Sequence, residues 1–124
     1  MDPCQLLKQA DAEAVAQTKL GPPHEGSASS PSCTYKSMSA GARMQVSIFL
    51  GAGAKALFDT DHRLGHTFRT VSGVSADEAW EEANAVFFRK GSFWIAIQLI
   101  GVNDPAVNRL PLEHLMKIVA LRLS

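Results

Sequence analysis

Two histidines four residues apart are the first positions in this chain that could do chemistry. Asp59, Asp61, His62 and His66 bring together residue types that ligate metals. On a helix, His62 and His66 would share one face, with Asp59 or Asp61 supplying oxygen. The pattern lacks the glutamate of a His-Glu-x-x-His site, and Gly65 interrupts the helix. A polar, exposed helix end accounts for the same residues, so no metal and no cofactor are expected there. A second group, Asp77, Glu78, Glu81 and Glu82, surrounds Trp80. Paired carboxylates can serve as acid and base, but no nucleophile accompanies them. A solvated helical turn anchored by Trp80 is the expectation, with Trp80, Asp77 and Glu78 as a candidate ligand or partner surface. Gly51-Ala52-Gly53 stands where a strand gives way to a helix, a setting for phosphate binding. The third glycine of the dinucleotide pattern is missing and Lys55 stands alone, so these read as turn glycines. No Gly-x-Ser-x-Gly elbow occurs, and no catalytic residue is assigned.

The elements that must position these groups follow from capping and periodicity. A helix starts at Asp2 as N-cap, with Pro3 at the first helical position and Gln5 completing a capping box. It is expected to break near Gln9, restart at Asp11 and end before Gly21-Pro22-Pro23. Residues 21–32 read as an exposed, flexible loop. Cys33–Met38 and Met44–Leu50 read as strands joined by a hairpin connection at Ser39–Arg43. In the second, Met44, Val46, Ile48 and Leu50 alternate with Gln45, Ser47 and Phe49. A helix at 54–64 and a strand at 67–71 follow, then a loop at 72–84 with a helical turn over Ala76–Glu82. Ala85–Arg89 and Ser92–Ile100 pair across a Lys90-Gly91 turn. The last strand is apolar on both faces, as a central strand covered on both sides would be. From about Pro111, Leu112, Leu115, Met116, Val119 and Leu123 form the stripe of a helix packed on a sheet. The result is a single α+β domain over 1–124. Its mainly antiparallel sheet has about five strands, packed with N-terminal, middle and C-terminal helices. Ile48, Val86, Ile95 and Ile97 are its expected core under Leu115, Met116 and Val119.

Composition narrows the function classes. The 124 residues carry twelve basic and twelve acidic side chains, a formal net charge of zero. That balance argues against a nucleic-acid partner and against a polyanionic tail. An apolar fraction of 46% with 19% charged residues is that of a globular chain. No apolar run approaches the roughly 18 residues that span a bilayer. The two cysteines, Cys4 and Cys33, do not form a Cys-x-x-Cys pair. Their spacing is compatible with one disulfide or with two free thiols. Met1 leads at once into Asp2 and Pro3, without a basic and apolar stretch. The start therefore reads as that of a cytosolic protein or of a mature exported form.

Several segments resemble one family. Asp2-Pro3-Cys4 followed by Leu6-Leu7 is similar to the mature start of small actinobacterial-type secreted lipoproteins of unknown function. So are Asp11-Ala12-Glu13-Ala14-Val15, the Gly21-Pro22-Pro23 exit, and Cys33 followed by Tyr35. Val74-Ser75-Ala76-Asp77-Glu78-Ala79-Trp80 resembles a loop usually written Gly-x-Gly-Asp-Glu-Ala-aromatic, with Ser75 in place of the second glycine. The strand–Lys90-Gly91–strand hairpin and the C-terminal helix complete the likeness. The resemblance implies a Cys4–Cys33 disulfide, an exported protein, a PsbP-like sandwich and a binding or accessory role without established catalytic residues. The expectation is a non-enzymatic exported or cell-envelope domain that binds a small ligand or an envelope protein. Its alternatives are a small enzyme using the His62/His66 region and a homodimeric structural module.

Overall fold

The computed structural model describes residues 2–38, 43–101 and 104–123. In chain order the elements are α1 (Pro3–Leu6), α2 (Gln9–Ala16), β1 (His24–Glu25), β2 (Ser32–Lys36), β3 (Gln45–Leu50), α3 (Ala52–Arg63), β4 (Arg69–Thr70), β5 (Glu78–Glu82), β6 (Ala85–Lys90), β7 (Phe93–Ile100) and α4 (Pro105–Arg122). All strands join one antiparallel sheet in the order β1-β2-β3-β7-β6-β5-β4. The α+β class and the antiparallel sheet are as expected, with seven strands rather than about five.

The alternation along β7 explains the layering. Ile95, Ile97 and Leu99 point into a core shared with Leu6 and Leu7, with Val15 of α2, and with Leu112, Leu115, Met116 and Val119 of α4. Ile48 and Val86 lie in the same cluster. Ala96 points to the opposite face, where it meets Ala54 and Phe58 of α3 together with Phe87. The sheet is thus covered by α1, α2 and α4 on one face and by α3 on the other, with β7 at its centre. Burying an isoleucine such as Ile97 in this layer contributes about 2–3 kcal/mol.

The ends of the chain are tied together. The Cys4–Cys33 disulfide joins α1 to β2 with the Cα atoms 5.2 Å apart. Arg122, at the end of α4, donates to the Leu6 carbonyl at 2.8 Å and to Asp11 at 2.5 Å. The Tyr35 hydroxyl donates to the Leu7 carbonyl at 2.7 Å.

Four expectations are corrected. The first helix does break beside Gln9, at Leu7 and Lys8, but Asp11 is not the new cap. It sits three residues inside α2, where its carboxylate accepts from the Lys8 N–H at 3.0 Å. Within segment 21–32 residues 22–30 are exposed, but the segment contains β1, paired to Cys33 and Thr34. The stretch expected to form a helical turn is the strand β5, because β6 offers it a continuous ladder from Glu78↔Arg89 to Glu82↔Ala85. The last helix begins six residues earlier than Pro111. Asp104 caps it by accepting from the Ala106 N–H, Pro105 takes the first turn, and Pro111 lies inside. The ring's clash and missing donor fall on the exposed Val107 side, where the cost is least. The expected hairpin connection at Ser39–Arg43 lies largely outside the described residues.

Candidate functional site

The carboxyl end of β5 carries two glutamates in succession, and a strand sends successive side chains to opposite faces. Glu81 follows Ala79 toward α4, and Glu82 follows Trp80 toward α3. The turn Ala83-Asn84 ends the strand, with Asn84 in the left-handed region at φ 65°. Asn84 Oδ1 accepts from Nδ2 of the buried Asn108 at 2.9 Å, which fixes the start of α4 beside this turn.

Each glutamate meets a second carboxyl group. Glu81 lies beside Glu113 of α4, and Glu82 beside Asp61 of α3. Both glutamate side chains are only 5% exposed. A shared proton or a cation relieves the repulsion between carboxyl groups placed this close. With the carboxylates ionised, Oε2 of Glu81 and Oε2 of Glu82 have no hydrogen-bond donor among the described residues. Burial, and then the Glu113 carboxyl, pushes Glu81 up to about 7 against the pull of Arg69 and Arg109. Burial, and then Asp61, pushes Glu82 up to about 7 against His66. Arg69 Nε lies 3.5 Å and Arg109 Nη1 3.7 Å from Glu81 Oε1.

His66 reaches Glu82 because of how α3 ends. Gly65 adopts φ 82°. The His66 N–H donates to the Asp61 carbonyl and the Gly65 N–H to the His62 carbonyl, each at 3.1 Å. This is the Schellman pattern, in which a left-handed glycine folds the following residue back onto the last helical turn. His66 Nδ1 consequently sits 2.8 Å from Glu82 Oε1 and 3.9 Å from Asp61 Oδ2. The hydrogen bond to Glu82 is the main cause that raises the His66 imidazole above its ordinary value.

A cleft of about 500 Å³ opens over this strand end, lined by His66, Arg69, Glu81, Glu82, Pro105 and Arg109 among others. No family model, curated protein or solved structure matches this chain.

The residues singled out from the sequence fall into separate places. His62 stays apart from His66. Its ring stands edge-on to Phe58 at 4.5 Å and to Phe68 at 4.1 Å. Asp59 pairs with Lys55 at 2.7 Å instead of joining Asp61. Trp80 stacks on Trp94 with centroids 5.5 Å apart and planes 6° from parallel, and both rings contact Phe58 at 4.9 Å. Glu78 pairs with Arg89 at 2.5 Å, and Asp77 accepts from the Gly91 N–H at 2.5 Å. Those two acids brace the β6–β7 turn at the far end of β5 from the cleft. Cys4 lies near Asp2 and Glu25, but its sulfur is held in the disulfide and offers no thiolate. Sequence reasoning missed Arg69, Arg109 and Glu113, which reach the site from β4 and α4. It did name Asp61, His66, Glu81 and Glu82, but in other company. The local signal that joins Asp61 to His66 is the glycine between them.

Proposed function

We propose that this chain is an exported accessory domain that binds a small cationic, hydrogen-bond-donating ligand in the cleft at the end of β5, without covalent chemistry. The observation that carries this reading is the pair of buried glutamate side chains, each with an oxygen that lacks a donor. Leaving a buried acceptor unsatisfied costs about 1–3 kcal/mol, and more when it is charged. A fold retains such a cost where a ligand repays it. Counting Asp61 and Glu113 behind the cleft wall, four carboxyl groups at this strand end face the cationic groups of Arg69, Arg109 and His66, and the two orphan oxygens favour a positive guest that brings its own N–H groups.

Export is supported by the Cys4–Cys33 disulfide, a bond that persists in oxidising compartments, and by the resemblance to secreted lipoproteins. No helix among the described residues is long and apolar enough to cross a membrane. A sheet covered on both faces also agrees with the PsbP-like sandwich that the resemblance implies. The enzyme alternative is weakened because His62 and His66 face different surroundings. Dimerisation through a sheet edge is weakened because the outer strands β1 and β4 are two exposed residues each, a form of edge that resists pairing.

Titration with putrescine and spermidine, followed by amide NMR shifts, tests the cleft. Saturable shifts at Thr67, Ala83 and Ala106, lost in Glu81→Gln and Glu82→Gln, are expected at about 1 mM ligand, the scale of weak small-molecule binding. Shifts absent from these amides, or unchanged in both variants, would contradict the reading.

A further inference from the structure

The α3 side of the cleft has a more specific chemistry than the rest. We infer that Asp61, His66 and Glu82 form a three-ligand site for a divalent transition-metal ion, with zinc as the ion it suits best. The inference rests on reading the cleft as a ligand site and names the ligand of one corner of it.

Each of the three residues offers one ligand atom, and these atoms all lie within 4.8 Å of one another. His66 Nδ1 is 2.8 Å from Glu82 Oε1 and 3.9 Å from Asp61 Oδ2. Ligands about 2.0–2.1 Å from a tetrahedral ion stand about 3.3 Å apart, and the two separations from His66 bracket that value. An acidic cluster alone would not carry the assignment. The second observation is the Glu82 side chain. It is only 5% exposed; its Oε1 faces His66, and its Oε2 has no hydrogen-bond partner among the described residues. A cation between the two carboxylates and the imidazole supplies what that oxygen lacks.

The scaffold holds the three ligands from two elements, β5 and the end of α3. Glu82 is fixed by the β5–β6 ladder, Asp61 by the last turn of α3, and His66 by the glycine-closed cap of the same helix. A mixed imidazole and carboxylate set suits zinc better than calcium or magnesium, which prefer oxygen alone. Three protein ligands leave a fourth position, and His66 and Glu82 both line the cleft, so that position is accessible from it. His62 is no part of the set, being stacked against Phe58 and Phe68.

The test is calorimetric titration of zinc chloride into untagged, EDTA-treated protein at pH 7.5, with thermal melting in parallel. One equivalent should bind with a rise in Tm. His66→Ala lies at an exposed position and should fold normally. It should weaken binding about 100-fold or more, at or above the loss seen when only an outer-shell partner is removed. Glu82→Gln should do the same, while His62→Ala should leave the affinity unchanged. Unchanged zinc binding in His66→Ala and Glu82→Gln, or loss in His62→Ala, would overturn the assignment. If wild-type protein binds no zinc but still shows putrescine shifts at the cleft, the metal site is refuted and the cleft reading stands. If it shows neither, both fall.

Discussion

Glutamine at position 81 should make the metal-free protein more stable at alkaline pH. Glu81 is 4% exposed, and Oε2 has no donor among the described residues. Glutamine keeps the shape, cannot ionise, and offers an N–H to the Glu113 carboxylate. The sign follows from linkage. The carboxyl has an ordinary value of 4.5 and is pushed up to about 7 in the fold, by burial first and by Glu113 next. Its protonated form therefore stabilises the fold fully below about pH 4.5, and that contribution is lost as pH rises through about 7. At full weight the difference is about 3.5 kcal/mol, from about 1.4 kcal/mol per pH unit. Arg69 and Arg109 are 63% and 43% exposed, so water screens the group. We therefore expect about 1–2 kcal/mol. Urea denaturation in EDTA, read by Trp80 and Trp94 fluorescence, should show Glu81→Gln more stable than the parent by that amount at pH 8. The two should agree within about 0.5 kcal/mol at pH 5, the scatter of a neutral substitution. A variant less stable than the parent at pH 8 would refute the reasoning, because the ion pairs to Arg69 and Arg109 would then outweigh burial and the Glu113 contact.

Other consequences are as direct. Replacing Cys4 and Cys33 by alanine opens a cross-link between positions 29 residues apart and should cost about 3.5 kcal/mol on the chain-entropy model; a loss under about 1 kcal/mol in denaturant titration would contradict it. Ile97→Ala, at a site with no exposed surface, should cost about 2–5 kcal/mol, and an unchanged Tm would show the core to be misdrawn. Burial alone would raise Asp11, but the Arg122 hydrogen bond and the Lys8 N–H outweigh it and hold the carboxyl below its ordinary 3.8. That contribution is present above 3.8 and disappears as pH falls through the folded value, so Asp11→Asn should lower Tm at pH 7 and converge with the parent as the pH falls below that folded value; an equal deficit at neutral and at acid pH would exclude the clamp. Gly65→Ala meets no atom within 4 Å of the added Cβ but keeps φ 82°. It should cost about 1 kcal/mol and weaken zinc binding, since alanine resists the left-handed cap; unaltered affinity would detach the cap from the site.

The sequence discloses elements whose pattern agrees with their burial. β7 alternates Ile95, Ile97 and Leu99 against Ala96, and α4 carries Leu112, Leu115, Met116 and Val119 on one stripe, so both were legible. β5 was not, because Ala76-Asp77-Glu78-Ala79-Trp80-Glu81-Glu82 is rich in helix-favouring residues and only pairing with β6 makes it a strand. That misreading put all its acids on one turn and concealed that Glu81 and Glu82 leave the sheet on opposite faces. Gly65 was read as an obstacle to a histidine site, when as a left-handed cap it is what carries His66 back to Asp61. Arg69, Arg109 and Glu113 have no local signal at all, since they converge only through the antiparallel return of β4 and the docking of α4.

The measurement closest to the central claim is diffraction from crystals grown with zinc at pH 7.5, collected on both sides of the zinc absorption edge. The account predicts one anomalous peak at the end of β5, about 2.0–2.2 Å from His66 Nδ1 and from one oxygen each of Asp61 and Glu82. Electron density with no peak there, and the Asp61 and Glu82 carboxyl groups facing each other with no ion between them, would contradict it.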